Sequence, residues 1–147
     1  MLDKKDMKII NLLEEKGNLT TKRISRRLNI PQTTVHNRIK KLEKEGVIRG
    51  YEVDIDKRKV GKGLGAYVQV TINYPSQMEP NFQEEISQKI SNFPEVEKVS
   101  IITGETDILL KISVSDTDEL NDFVIKKLRL IKGVDKTRTS IIMKEIK

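Results

Sequence analysis

A polar stripe near the N-terminus combines hydrogen-bond donors with hydrogen-bond acceptors. In PQTTVHNRIKKLEKEG, residues 31–46, the aliphatic residues Val35, Ile39 and Leu42 recur at helical spacing and predict one apolar helix face. The opposite face combines a hydroxyl, an imidazole, an amide and an ammonium group, from Thr33, His36, Asn37 and Lys40. These groups match the hydrogen-bonding edges of nucleobases.

The sequence does not indicate a catalytic site, a metal site or a nucleotide-binding loop. His36 is the single histidine of a chain that has no cysteine, so a metal site lacks further His or Cys ligands. No nucleophile or orienting carboxylate stands at a spacing that would make His36 a catalytic base. The segment GKGLG departs from the spacing of nucleotide-binding loops and precedes a predicted strand instead of a helix. We therefore predict no enzymatic activity, no cofactor and no metal site.

The positive charge of the chain lies in its first third. The 147 residues include 28 Lys and Arg against 22 Asp and Glu, which gives a net charge of +6. Residues 1–50 hold 13 basic and 6 acidic residues, whereas the other 97 residues hold 15 and 16. This asymmetry indicates a polyanionic partner for the first third, although a solvated Lys-rich surface would give the same pattern.

The sequence shows no membrane or export signal. No apolar run reaches the ~18 residues of a membrane span, and the start MLDKKDMKII does not resemble a signal peptide. We therefore expect a cytoplasmic protein with no membrane partner.

Two short helices are predicted at the start of the chain. The first extends from about Asp3, a good N-cap residue, to Lys16, and the second extends from the N-cap Thr20 to about Leu28. Both carry apolar residues at helical spacing, so both are expected to contribute one face to a common core.

A third helix is predicted after a short turn. Pro31 disfavours helical backbone angles at the residue before it, and the helix that follows extends to about Glu45, with Gly46 as its stop. Two helices joined by a turn of about three residues are typical of a helix-turn-helix. In that motif the second helix lies in the DNA major groove and contacts base edges. An ordinary three-helix bundle with a polar surface is the alternative.

The helix-turn-helix interpretation assigns DNA contacts to the second and third helices. Asn37 and Gln32 can form two hydrogen bonds with adenine, and the Thr methyl groups can contact thymine. Flanking Arg and Lys side chains can neutralise phosphates, which positions the protein without reading sequence. The predicted DNA-binding residues are Thr20, Thr21, Arg23, Arg26, Arg27, Gln32, Thr33, Thr34, His36, Asn37, Arg38, Lys40 and Lys41.

The rest of the chain predicts an α+β fold. Alternation over Val47–Ile55 predicts a strand, and the glycines after it predict a connector. The later segments then follow in the order β-α-β-β-α-β, which is the ferredoxin-like arrangement of two helices on one face of an antiparallel sheet. The predicted organisation is a three-helix helix-turn-helix domain at 1–50, a strand and Gly-containing linker at 51–65, and a ferredoxin-like domain at 66–147. The free sheet face carries residues such as Tyr67, which suggests that a second subunit covers it.

Over nearly its whole length the chain resembles the leucine-responsive regulator/AsnC (feast/famine) family of transcription factors. The resemblance rests on LDKKDMKIINLLEEKGN, TVHNRIKKLEKEGVIRGY, TGETDILLKISV and KGVDKTRTSIIMKEIK, in this order along the chain. It implies a transcriptional regulator that binds double-stranded DNA and associates with itself, as a homodimer and further as a tetramer or octamer. Many members have Ser where this chain has Pro31, so Gln32 or the turn backbone has to replace the usual hydroxyl cap.

The resemblance also implies an effector site in the second domain, since many members bind a free amino acid or a similar small molecule between dimers. The residues to which the resemblance assigns this role are Gly104, Glu105, Thr106, Asp107, Thr137, Thr139 and Ser140. Taken alone, the segment GETD is also an ordinary hairpin turn. An oligomer that binds DNA without sequence preference, in an architectural role, is the alternative function.

Overall fold

The computed structural model of the chain describes residues 1–77 and 79–146. It divides into two compact units, Met1–Ile55 and Asp56–Lys147. The predicted domain at 66–147 therefore includes two positions, 78 and 147, that lie outside the described residues. Within the described part of the chain, no helix has the length and apolarity needed to cross a membrane.

The first unit contains the three predicted helices. They are α1 (Lys4–Glu15), α2 (Thr21–Leu28) and α3 (Gln32–Lys44). The helices pack around a common apolar core, whose buried residues are Ile9, Leu19, Ile24, Ile30, Val35, Ile39 and Leu42. All three aliphatic positions of the predicted apolar face of α3 belong to this core, so the helical spacing is confirmed.

The helix starts are fixed by the predicted capping residues. The Asp3 carboxylate accepts hydrogen bonds from the backbone amides of Lys5 and Asp6, at 2.8 and 2.9 Å. The Asp6 carboxylate in turn accepts from the Asp3 amide at 3.0 Å, which completes a capping box at the start of α1. Thr20 caps α2 by accepting from the Arg23 amide at 3.3 Å.

The strand predicted over Val47–Ile55 is not formed, and that prediction is wrong for the single chain. Residues 51–56 have no regular structure, and none of the described strands pairs with this segment. Alternating side chains are not sufficient, because a strand needs the hydrogen bonds of a neighbouring strand. A 3₁₀ turn at Lys57–Val60 follows, and the first strand of the sheet begins at Leu64, two residues before the predicted start at 66.

The second unit is a four-stranded antiparallel sheet. Its strands, in the spatial order β2-β3-β1-β4, are β1 (Leu64–Ile72), β2 (Val96–Ile101), β3 (Ile108–Val114) and β4 (Val134–Ile141). The helix α4 (Phe82–Ser91) connects β1 to β2, and α5 (Thr117–Asp122) follows β3. The apolar faces of the sheet and of both helices form one core. This arrangement confirms the predicted ferredoxin-like order.

The second helix of the ferredoxin-like unit changes its winding along its length. Asp116 caps α5, which continues as a π turn over Phe123–Lys127 and then as a 3₁₀ turn over Leu128–Leu130. Phe123 remains fully buried through the change. A spacing pattern predicts that a helix exists, but it does not report such local changes in hydrogen bonding.

Candidate DNA-binding surface and effector loop

The polar stripe of α3 faces solvent. Its residues Thr33, His36, Asn37 and Lys40 are all exposed, and they lie opposite the buried aliphatic residues of the same helix. With a rise of about 1.5 Å per residue, the stripe is roughly 10 Å long. That length corresponds to about three base-pair steps, since the repeat along one DNA strand is about 3.4 Å. The stripe can therefore present several hydrogen-bonding groups to consecutive bases.

The neighbouring helix α2 supplies exposed positive charge. Arg23, Arg26 and Arg27 are exposed, and α2 contains no acidic residue. Guanidinium groups on the helix that precedes a recognition helix are suited to phosphate contacts. The structure thus places the predicted base-reading groups and the predicted phosphate-binding groups on adjacent helices.

Two polar contacts hold the start of α3. Ser25 Oγ donates to the Ile30 carbonyl at 2.6 Å, and Gln32 Nε2 donates to Thr21 Oγ1 at 3.2 Å. No side-chain hydrogen bond caps α3 at Pro31. Gln32 therefore stabilises the start of the helix by bonding to α2, and two predicted DNA-binding residues are partners of one another.

Arg38, also a predicted DNA-binding residue, faces α1. Its Nη1 donates to Asp3 Oδ2 at 2.6 Å and to Asp6 Oδ1 at 2.7 Å. Only 26% of the Arg38 side chain and 4% of the Asp6 side chain are exposed. The backbone amide of Asp6 and the Arg38 guanidinium lower the pKa of Asp3 to about 2, and the carboxylates of Asp3 and Asp6 raise the pKa of Arg38.

The lysines of α3 have acidic neighbours. Lys40 Nζ lies 3.1 Å from Glu43 Oε2, and the Tyr51 hydroxyl donates to Glu43 Oε1 at 3.0 Å. These two contacts lower the pKa of Glu43, while burial and then the Glu43 carboxylate raise the pKa of Tyr51. Lys41 Nζ lies 3.8 Å from Glu45. A phosphate that approaches either lysine competes with these carboxylates. The sequence did not indicate a role for Tyr51, because no local pattern predicts its hydrogen bond to Glu43.

The predicted effector loop joins β2 to β3. Gly104 has a φ of 114°, which favours glycine. The Asp107 side chain forms hydrogen bonds with residues at and just after the end of β1. Asp107 Oδ2 accepts from the Ile72 amide at 2.7 Å, and Oδ1 accepts from the Tyr74 hydroxyl at 2.9 Å. Gln83 Nε2 donates to the Asp107 carbonyl at 3.1 Å. Burial and the Asp107 carboxylate raise the pKa of Tyr74. These partners were not identified from the sequence, which gives no local signal for them.

The predicted effector residues of β4 lie apart from this loop within one chain. The register pairs Thr137 with Val70 and Ser140 with Tyr67. Because β1 separates β4 from β3, Thr137 is two strand spacings, about 10 Å, from the start of β3. Ser140 lies further along β4 and on the opposite sheet face from Thr137 and Thr139. A single chain therefore does not gather the seven predicted residues into one pocket.

The fold and the exposed stripe of α3 define a class of protein, a DNA-binding regulator with a helix-turn-helix unit and a ferredoxin-like unit. Both parts match known protein families: residues 2–49 match the winged helix-turn-helix DNA-binding family, and residues 66–147 match the Lrp/AsnC ligand binding domain. The chain belongs to the Lrp/AsnC family of transcriptional regulators.

Individual relatives agree with this assignment. An uncharacterized HTH-type transcriptional regulator of Pyrococcus horikoshii is 37% identical over 141 residues, which cover 96% of this chain and 85% of that protein. One from Pyrococcus furiosus is 35% identical over 147 residues, which cover 100% and 96%. The crystal structure of a Neisseria meningitidis transcriptional regulator in complex with L-Met has a TM-score of 0.88 at 33% identity, and covers 100% of this chain and 93% of that one. The family and these relatives confirm the prediction of a transcriptional regulator that is not an enzyme.

Proposed function

We propose that the protein regulates transcription by reading DNA sequence with the exposed stripe of α3. The observation that carries this proposal is the arrangement of Thr33, His36, Asn37 and Lys40 on one solvent-exposed face, opposite the buried face of the helix. An asparagine amide can form two hydrogen bonds with the major-groove edge of adenine, which discriminates it from other bases.

Phosphate contacts complete the proposed surface. Arg23, Arg26 and Arg27 of α2 and Lys41 of α3 are exposed, so each can approach the DNA backbone. The half-buried Thr34 and the exposed Thr20 flank the same surface and offer hydroxyl groups to phosphate oxygens. We assign these residues to positioning on the duplex, and we assign sequence readout to the stripe.

The proposed regulator acts as a homo-oligomer in the cytoplasm. The sheet face without helices exposes Tyr67, which is 41% accessible in the single chain and suited to contact a second copy. A two-fold axis would set two recognition helices to read half-sites about 34–36 Å apart. Further association into tetramers or octamers would extend the number of half-sites bound at once.

We place an amino-acid effector at the loop that contains Gly104, Glu105, Thr106 and Asp107. Support comes from the match to a ligand binding domain and from the L-Met complex of the related Neisseria regulator. Each oxygen of the Asp107 carboxylate has a lone pair beyond its described hydrogen bond, so it can also accept from an ammonium group.

Turn amides would hold the effector carboxylate, with Thr137, Thr139 and Ser140 contributed by a neighbouring chain. Such a ligand changes the assembly only by its difference in affinity between states.

A pair of matched variants tests the readout on two duplexes, one selected from random sequences by the protein and one with the same bases scrambled. Asn37→Ala should weaken binding to the selected duplex by about 1–3 kcal/mol and relax discrimination at one position. Arg26→Ala should weaken binding to both duplexes alike. It should also reduce the salt slope, which is the steepness of the fall of log affinity with log salt concentration, by about 0.9. Fluorescence anisotropy at several salt concentrations measures both effects. Equal weakening of both duplexes by Asn37→Ala would contradict the base-reading role and favour the architectural alternative.

A further inference from the structure

A single guanidinium nitrogen joins α3 to the start of α1. Arg38 Nη1 donates to Asp3, 35 positions away in sequence, and to Asp6, 32 positions away. The contacts connect the middle of α3 to the first turn of α1, and they add an ionic link to the apolar packing of the bundle.

The ion pair and the capping box form one network. Asp3 Oδ1 accepts from the amides of Lys5 and Asp6, and Asp6 Oδ2 accepts from the Asp3 amide. Arg38 donates to the remaining oxygen of each carboxylate, so all four carboxylate oxygens accept a hydrogen bond. Because the Asp6 side chain is only 4% exposed, its charge would be buried without a cation if Arg38 turned away.

Arg38 also lies on a different face of α3 from the polar stripe. It follows Val35 by three residues and precedes Leu42 by four, and both of these residues are fully buried. The helical repeat therefore places it at the border of the apolar face, about 100° from its neighbour Asn37. From this border the Arg38 guanidinium group reaches Asp6, and 26% of the Arg38 side chain stays exposed.

We propose that Arg38 is a positioning residue: it fixes the orientation of α3 against α1 for sequence readout, and it does not itself contact DNA. This inference rests on the proposed function. Bidentate hydrogen bonds to bases tolerate errors of only about 0.5 Å, so the orientation of the recognition helix determines discrimination. The first unit has a small apolar core, and the Arg38 network adds a directional constraint that apolar packing does not provide.

The variant Asp6→Asn distinguishes a positioning role of Arg38 from a DNA contact by Arg38, because the two roles change DNA affinity in different ways. If Arg38 contacts phosphate, this variant frees a cation and removes an anion, so binding to both duplexes tightens with discrimination unchanged. If Arg38 positions α3, the ratio of affinities for the selected and scrambled duplexes falls by about 5- to 150-fold, the equivalent of one mismatched base pair. An unchanged or higher ratio would overturn the proposal.

Variants of Arg38 itself give a second readout. We expect Arg38→Met to lower the same ratio while the salt slope stays at the wild-type value. Arg38→Lys should recover most of the ratio, because an ammonium group can still donate to both carboxylates. A salt slope reduced by about 0.9 in Arg38→Met, with the ratio preserved, would identify a phosphate contact and overturn the proposal.

Two controls separate positioning from loss of folding, which circular dichroism monitors in each full-length variant. Asp3→Ser keeps an N-cap hydroxyl but removes one anchor of Arg38, so a smaller fall in the ratio is expected even if Asp6→Asn does not fold. Ile9→Val destabilises the same core without touching the network, and its ratio should equal that of the wild type. A fall in Ile9→Val as large as that in Asp3→Ser would overturn the proposal. If the wild type itself shows no preference, the proposed function fails instead.

Discussion

The two units of the chain place their functional groups by different means. In the first unit the candidate DNA-binding groups stand on regular helices, and the described core contains seven buried apolar residues. In the second unit the candidate effector loop lies at the end of a sheet whose described core contains fourteen. The smaller core provides fewer constraints on the relative orientation of its elements, so polar links such as that of Arg38 carry more of the positioning there.

Buried or half-buried carboxylates have correspondingly different roles. Asp6 of α1 accepts a hydrogen bond from Arg38 of α3, so its loss affects how these two helices are oriented relative to each other. Asp107 accepts a hydrogen bond from the Ile72 amide at the end of β1, so its loss removes a contact between the loop and that strand. The helical surface of the first unit is therefore positioned by a link between two helices, whereas the effector loop is positioned by a link to the strand next to it.

The largest expected effect concerns close packing in the second unit. Gly133 has a φ of 101°, and a Cβ there would lie 2.6 Å from Ile86 Cδ1 and 2.8 Å from Phe82 Cζ. Gly133→Ala should therefore reduce the free energy of unfolding by roughly 2–5 kcal/mol, since backbone strain and overpacking add. The matched substitution in the first unit, Gly46→Ala, meets no atom within 4 Å at a φ of 72° and should cost only about 1–2 kcal/mol. Urea unfolding followed by circular dichroism measures both. Equal losses would show that close packing does not distinguish the two units.

A smaller effect is expected at the effector loop. Asp107→Ala leaves the Ile72 amide and the Tyr74 hydroxyl without their acceptor, and should cost about 1–3 kcal/mol. Tyr74→Phe removes one of these hydrogen bonds and should cost about 1 kcal/mol. Calorimetric titration with L-methionine, alongside urea unfolding, tests both roles of the carboxylate. Full stability in Asp107→Ala would contradict the tie to β1, and unchanged L-methionine binding would remove Asp107 from the proposed effector site.

The smallest effect is a pH dependence in the first unit. The Asp3 carboxyl has a pKa of about 2 in the folded chain against an ordinary value of 3.8, so its ionised form favours folding. That contribution is complete above about pH 4 and is lost as the pH falls towards 2. Asp3→Ser keeps the cap but does not titrate, so its melting temperature should fall less than that of the wild type between pH 5 and pH 3. Parallel curves for the two proteins would show that Asp3 is not the titrating group.

Local spacing predicted those parts of the fold that depend on local contacts. The aliphatic repeat of α3 identified its buried face, and the alternating and helical patterns of the second unit identified its order β-α-β-β-α-β. The strand expected at Val47–Ile55 was wrong because strand formation requires a partner, which a single sequence does not specify.

The contacts that position the candidate sites were not predicted, because their partners are distant in sequence. The charge of Arg38 predicts a phosphate contact, although its spacing from Val35 and Leu42 places it beside the apolar face. Its partner Asp6 is 32 positions away, and no local pattern connects the two. The same holds for Asp107 and Tyr74, which the antiparallel pairing of β1 with β3 brings together.

An anisotropy titration of the full chain on the selected and scrambled duplexes tests directly whether α3 reads DNA sequence. We predict an affinity ratio of roughly 10³ or more at physiological salt, because the stripe of α3 reads base edges. Equal affinities for the two duplexes, with a steep dependence on salt, would contradict it and leave the first unit as a phosphate-binding surface without sequence preference.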